Sequence, residues 1–325
     1  MLTEADLKQL IISSKNIILT THKNSDGDGI GSLAGLCWAL ASIGKKVTFF
    51  HNDEIPLRYS FLTDGLQKIF FTESTDKNLL NEYDLVIVLD THQGDLCNPL
   101  FDKACAANKS VVFIDHHLTQ KTNLKNCSYF VDPTAASTGE IVYNLIEKLN
   151  ITITKQIAKA LYSSLTFDTQ AFKLTRNSYR SHLIASELVK YDIDTESIQR
   201  SLFANWTIAK MNFLSVLIKG SKNFKNGRVI GITISKKNLA DYDLLGDDVS
   251  DLLDLFTLIK SVEFCYCIRE IEPQYYKISF RSIGNNQAFE LAELFSGGGH
   301  GTSAGAWVKS DLASIENKIK NHLGY

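Results

Sequence analysis

Asn16-Ile17-Ile18-Leu19-Thr20-Thr21-His22-Lys23-Asn24-Ser25-Asp26-Gly27-Asp28-Gly29 is the stretch that decides the fold. Asn16–Thr20 is a short apolar run that reads as a strand. Thr21–Gly29 is polar, charged and glycine-rich. Gly29–Ser42 then carries small and apolar residues (Leu33, Ala34, Leu36, Trp38, Ala39, Leu40) in the pattern of a packed helix. Further apolar runs follow at Val47–Phe50, Leu85–Leu89 and Val111–Ile114, each flanked by polar residues. Continuous apolar runs suit strands buried on both faces of a parallel sheet. Their alternation with helical stretches predicts right-handed βαβ units, hence an α/β fold with an open parallel sheet and flanking helices.

Beyond Asp132 the pattern turns helical at Thr138–Leu149, Thr154–Asp168 and Ser178–Lys190, and Asp192–Ser201 is polar without sustained periodicity. This predicts a first domain over 1–191, a linker over 192–206, and a smaller α/β domain over 207–325 across a cleft. In that second domain the sequence predicts helices over Lys210–Lys219 and Val249–Lys260, and a strand over Val229–Ile234. An antiparallel hairpin is expected from Val262–Arg269 and Tyr275–Arg281 around Glu272-Pro273. Ala288–Phe295 reads as a short helix and Gly297-Gly298-Gly299-His300 as a loop.

Of the 325 residues, 44% are hydrophobic, and 34 Lys+Arg oppose 36 Asp+Glu. That balance excludes a disordered chain. It also argues against a protein that coats long nucleic acid through a broad basic face, since counterion release needs many unpaired cations. No apolar run reaches the length of a bilayer span, and Met1–Lys8, with Glu4 and Asp6, does not read as a secretory signal. The 6 cysteines are scattered, as expected of reduced thiols. Together these features predict a cytoplasmic protein with no membrane partner. Cys265-Tyr266-Cys267 places both thiols on one strand face and reads as packing. Phe70-Phe71 and Tyr275-Tyr276 read as core, and His51, His182 and His322 as structural residues.

The chemistry lies at the strand ends. His22, Asp26 and Asp28 follow the first strand, Asp90 ends another, and Asp115-His116-His117 ends a third. In open α/β sheets ligands sit outside the carboxyl ends of the strands, so these residues are delivered to one edge. Asp168, which closes an apolar helical stretch, could join them, and His92 falls close by. Carboxylates crowded in this way repel, and burying one unpaired is costly; cations among them resolve the conflict. Carboxylate oxygens mixed with imidazole suit a first-row divalent ion such as Mn²⁺. Asp26, Asp28, Asp90 and Asp168 are too many for one ion and suit two, the usual device for in-line displacement at phosphorus. Gly27, Gly29 and Gly31 are expected to let the backbone approach a ligand, with free helix amides offered to an anion.

In this order, His-x-x-x-Asp-x-Asp, a lone strand-end Asp, Asp-His-His, a later Asp and Gly-Gly-Gly-His resemble the DHH phosphoesterase family. More narrowly, they resemble its branch with a DHH-associated C-terminal domain, which includes the bacterial NrnA-like nanoRNases and phosphoadenosine-phosphate phosphatases. The resemblance implies that His22 and Asp26 bind one Mn²⁺, that Asp28, His116 and Asp168 bind another, and that Asp90 bridges them. It implies that Asp115 orients His116 through its second ring nitrogen, and that His117 contacts the scissile phosphate while a bridging hydroxide attacks in line. Arg281, Ser282 and Gly297, Gly298, Gly299 and His300 would hold the substrate's far end. The implied substrates are short single-stranded oligoribonucleotides and small phosphorylated nucleotides such as 3′-phosphoadenosine 5′-phosphate, handled by a homodimer. Cyclic dinucleotides or their linear products, pyrophosphate and polyphosphate are the alternatives; the Gly-Gly-Gly-His motif speaks against a pyrophosphatase.

Overall fold

The structure, a computed structural model, describes residues 1–75, 77–117, 126–174, 178–204, 206–299 and 301–324. Two compact units divide the chain, Met1–Asn205 and Trp206–Tyr325. Over the described residues the first unit is built on a six-stranded sheet: β1 (Asn16–Thr21), β2 (Lys46–His51), β3 (Lys68–Phe70), β4 (Leu85–Leu89), β5 (Ser110–Asp115) and β6 (Cys127–Val131). Their order is β3-β2-β1-β4-β5-β6, and every pairing is parallel. The apolar runs explain this. All five residues of β4 are buried. Leu85, Ile87 and Leu89 pack under the helices Gly27–Ser42, Thr138–Lys148 and Lys155–Asp168, while Val86 and Val88 pack with Phe50, Phe71, Leu100 and Phe113 on the opposite face. Burial on both faces requires apolar side chains at both parities of the strand.

Two strands were not expected. β3 spans three residues, and β6 buries only Tyr129 fully; both lie at sheet edges, where one-sided burial leaves little apolar signal. The expected linker also changes character. Thr195–Phe203 is a helix whose Ile198 and Leu202 belong to the first unit's core, with Asp194 as its N-cap accepting from Ser197 N at 2.9 Å. The first unit therefore reaches 205, past the expected boundary at 191. Two inward residues one turn apart bury this short helix without producing a long periodic pattern. Among the described residues no single helix is long and apolar enough to cross a membrane.

The second unit holds a mixed sheet: β7 (Lys222–Phe224), β8 (Val229–Ile234), β9 (Phe264–Glu272), β10 (Tyr275–Ser282), β11 (Gly298–Gly299) and β12 (Ser303–Lys309), in the order β11-β12-β10-β9-β8-β7. β9 and β10 form the expected antiparallel hairpin. One face, with Ile230, Ile232, Ile234, Cys265 and Cys267, packs under the helices Ile208–Gly220 and Leu252–Phe256. The other packs against Gln287–Leu294 and Leu312–Leu323. The expected long helix over 249–260 contracts to Leu252–Phe256, next to a 3₁₀ turn at Asp247–Val249. β12 escaped the sequence reading because its inward residues, Ala304 and Ala306, are small. The cysteines behave as packing groups, and burial raises the Cys265 thiol to about 12. Of the aromatic pairs, Phe71 is in the core but Phe70 is exposed.

Candidate metal centre

The order of the first sheet reverses between β1 and β4, which makes their carboxyl ends a topological switch point. β1 runs into His22 and then Asp26, the N-cap of the helix Gly27–Ser42. Asp28 lies in that helix's first turn. β4 runs into Asp90, whose φ of 65° is unusual for a non-glycine residue; its amide donates to Ile114 O at 2.9 Å, tying the turn to β5. β5 ends at Asp115, followed by His116 and His117. Asp168 is the last residue of the helix Lys155–Asp168.

These residues converge. Ligand atoms of His22, Asp26 and Asp90 lie within 4.8 Å of one another, as do those of Asp28, His116 and Asp168, and those of Asp90, His116 and His117. His116 Nε2 is 3.5 Å from Asp28 Oδ2, 3.4 Å from Asp168 Oδ2 and 3.7 Å from Asp90 Oδ1, and His22 Nε2 is 3.5 Å from Asp90 Oδ2. A first-row ion bound at about 2.1 Å separates neighbouring ligand atoms by roughly 3–3.5 Å, so these spacings suit ligands around a cation. The imidazoles are turned correctly for it. His22 Nδ1 lies 2.9 Å from Lys23 O and His116 Nδ1 3.4 Å from Ala135 O. A carbonyl only accepts, so each Nδ1 carries a proton and each Nε2 is the nitrogen turned toward the acids, the position a metal ligand requires.

The carboxylates are equally prepared. Asp28, fully buried, accepts from Thr138 N at 2.8 Å, from Gly139 N at 3.2 Å and from Ser164 Oγ. The first two donors are the N-terminal amides of the helix Thr138–Lys148, whose dipole favours negative charge there. Thr138 Oγ1 also donates to Asp90 Oδ1 at 3.0 Å. Burial nevertheless holds Asp28 above the usual carboxylate range. Asp90 is pushed well above it, by burial first and then by the charges of Asp28, Asp26, Asp168 and Asp115. Divalent cations would relieve that repulsion. Thr138, Gly139 and Ser164 are functional residues the sequence did not disclose, because their partners lie 48 to 136 residues away. Thr138→Val is expected to weaken divalent-ion affinity about 10–100-fold, as read by calorimetric titration; an unchanged affinity would make Thr138 only a helix-start residue.

Asp115 departs from its expected role. It does not reach the His116 ring, whose Nδ1 faces Ala135 O. Instead Oδ1 accepts from His117 Nδ1 at 2.7 Å and from the amides of His116 and His117 at 2.8 and 3.2 Å, and Oδ2 lies 2.6 Å from His92 Nδ1. Burial alone would raise Asp115, but the His117 and His92 hydrogen bonds outweigh it and hold the carboxyl well below its usual range. Burial would likewise lower His117, yet the Asp115 hydrogen bond and charge keep it above the ordinary imidazole range. The glycines are also corrected. A Cβ on Gly31 would meet Ala160 O at 2.8 Å, and one on Gly29 would meet Ser25 Oγ and Thr21 Oγ1 at 2.5 Å, so these two serve close packing. The amides of Asp28 and Gly29 are not offered to a ligand, because Asp26 Oδ1 accepts from both.

In the second unit, Arg281 Nε donates to Asp254 Oδ1 at 2.5 Å and Nη1 to Phe280 O at 3.1 Å. A phosphate would have to share that guanidinium. Ser282, expected to bind substrate, is committed to the fold: its Oγ donates to Asn285 O at 2.9 Å and accepts from Ala288 N at 3.2 Å. Gly297 and Gly299 press on β12, where a Cβ would meet Gly305 O at 2.1 Å and Ala304 Cα at 2.6 Å respectively; Gly298 has open space. His300 lies outside the described residues.

Residues 16–165 match the family model described as the DHH family, N-terminal domain. The chain is 28% identical over 313 residues to a probable bifunctional oligoribonuclease and PAP phosphatase NrnA of Streptococcus mutans, covering 94% of each. It is 26% identical over 336 residues to the cyclic-di-AMP phosphodiesterase GdpP of Bacillus subtilis, covering 98% of this chain but 49% of GdpP. The chain thus spans about half the length of that relative. A crystal structure of an exopolyphosphatase-related protein from Bacteroides fragilis superposes with a TM-score of 0.89 at 24% identity, over 98% of this chain and 95% of the other, and shares the fold.

Proposed function

We propose that this chain, whose residues 16–165 match the DHH family model and which is similar to NrnA-type proteins over most of its length, is a hydrolase of phosphoester bonds that uses two Mn²⁺ ions to hydrolyse short RNA oligonucleotides and 3′-phosphoadenosine 5′-phosphate. The observation that carries the reading is the pair of ligand sets, His22–Asp26–Asp90 and Asp28–His116–Asp168, with Asp90 between them. When bound there, divalent ions neutralise phosphate charge and lower the pKa of a coordinated water to about 7. The chain's own residues do the rest. Asp115 holds the His117 proton at Nδ1, which leaves the other ring nitrogen for a phosphate oxygen and places positive charge where negative charge grows. Thr138 and Ser164 fix the two carboxylates that must not rotate. In the second unit, Arg281 and the Gly297–Gly299 segment are the proposed grip on the far end of the substrate.

The substrate class is supported by similarity to NrnA along nearly all of both chains. A second reading, cyclic dinucleotides or their linear products, draws on the similarity of almost the whole chain to part of GdpP. A panel with Mn²⁺ separates them: dinucleotide, pentanucleotide, longer RNA, 3′-phosphoadenosine 5′-phosphate, cyclic dinucleotides and pyrophosphate. Turnover of dinucleotide and of the bisphosphorylated nucleotide at least about tenfold above that of longer RNA is expected, since 34 Lys+Arg balanced by 36 Asp+Glu give little net attraction for a long strand. Preference for the cyclic compounds would favour the second reading, and turnover of pyrophosphate alone would overturn both.

A further inference from the structure

The sheet of the second unit carries a cationic pocket that the reading above does not use. Register places Ile234, Arg269, Lys277 and Trp307 in one row across β8, β9, β10 and β12, and Cys267, Ser279 and Gly305 in the next. Helices cover this face over β8 and β9, whereas on β10 and β12 its residues remain half-buried or exposed. Arg269, Lys277, Cys267 and Ser279 line a recess beneath the loop that carries Gly246 and Ser250. The Arg269 guanidinium packs directly on Gly246: a Cβ there would come within 1.9 Å of Nη1 and push the guanidinium out of place.

That nitrogen is buried and has no hydrogen-bond partner. Among the described residues the ion pairs of the second unit engage Lys210, Lys222, Arg228, Arg281 and Lys320, and leave Arg269 out. Leaving such a buried charged donor unmatched is unfavourable, and a bound anion removes that cost. Cys267 senses the same excess of charge. Burial raises its thiol to about 12, against the pull of Arg269, Arg281 and Lys277. At the end of the row Trp307 is 54% exposed. Its indole lies 5.4 Å from Lys277 Nζ and stacks on Tyr275 at 5.8 Å. Two strand spacings, about 10 Å, separate it from Arg269. A rigid exposed aromatic beside a cation is a platform for a nucleobase.

We propose that Arg269, positioned against Gly246, binds the terminal phosphate of a nucleotide, with Lys277 beside it and the base stacked on Trp307. This rests on the reading of the protein as an enzyme of short nucleotide substrates, and it adds where a phosphomonoester end is held. The test is calorimetric titration of the full chain with AMP, adenosine and inorganic phosphate in a chelator, so that no divalent ion takes part. AMP should bind at least about tenfold more tightly than either of the others. Arg269→Gln and Gly246→Ala should each weaken AMP at least about tenfold, and Trp307→Ala should weaken AMP while leaving inorganic phosphate unchanged. Melting curves identify any variant that fails to fold; Trp307→Ala, at an exposed position, keeps the test alive if the others do. Wild-type AMP affinity in folded Arg269→Gln, or adenosine binding as well as AMP, would overturn the pocket. Dinucleotide hydrolysis by the wild-type chain is measured separately. Hydrolysis without Arg269-dependent AMP binding removes the pocket alone, whereas AMP binding without hydrolysis sustains the pocket and removes the enzymatic reading.

Discussion

Asp28→Ala is expected to lower divalent-ion-dependent hydrolysis at least about a thousandfold, because several kcal/mol of transition-state charge stabilisation are lost with a metal site and each 1.4 kcal/mol is a factor of ten. The effect must be separated from a folding defect. Asp28 is the acceptor for Thr138 N, Gly139 N and Ser164 Oγ, and alanine would leave these buried donors unmatched at about 1–3 kcal/mol. Asp28→Asn removes the charge and keeps an acceptor for Gly139 N and Ser164 Oγ, leaving only the Thr138 amide facing its NH₂. Since burial already holds Asp28 above its usual range, the folded state gains little from that charge without cations. The asparagine variant should therefore melt closer to the wild type in chelator than the alanine variant does, yet lose the stabilisation that Mn²⁺ confers on the wild type and lose turnover. Wild-type turnover in either variant would contradict the assignment of Asp28.

Asp115→Asn is expected to reduce kcat about a hundredfold with a smaller change in KM. An asparagine oxygen can still accept from the amides of His116 and His117 and from His117 Nδ1, so the loop persists. Its NH₂ then meets His92, which must change tautomer, and His117 loses its anionic partner. Because Asp115 keeps His117 above the ordinary imidazole range, the wild-type imidazolium survives to higher pH than an isolated histidine would. Removing the charge lets His117 deprotonate earlier, so the alkaline limb of kcat should move to lower pH. A merely structural Asp115 would lower stability and leave that limb in place; an unmoved pH profile would therefore reject the role given to His117.

The first sheet was legible because its central strands are buried on both faces. Ile17–Leu19, Leu85–Leu89 and Val111–Ile114 are apolar at both parities, and only a covered parallel sheet demands that. Edge strands make no such demand, which is why β3 and β6 passed unnoticed. The site was legible for a related reason. Acids and histidines directly after such strands must emerge at one edge, so His22, Asp90 and Asp115–His117 could be grouped without a structure. What supports them was not legible. Thr138 meets Asp90 across 48 residues and Ser164 meets Asp28 across 136, distances at which spacing carries no information. Asp115 was given the wrong imidazole because neighbours in sequence, His116 and His117, differ in which way the backbone turns them. Ser282 shows the converse: the family resemblance implied that it holds substrate, although its hydroxyl closes the turn that starts the helix Gln287–Leu294.

The pairing of two cations in one acidic edge is tested most directly by anomalous diffraction from crystals of the full chain grown with Mn²⁺. The account predicts two peaks per chain, one among His22, Asp26 and Asp90 and one among Asp28, His116 and Asp168, with Asp90 touching both and the second peak lost in His116→Ala. A map with no peak at these residues, or with manganese bound only elsewhere, would contradict it.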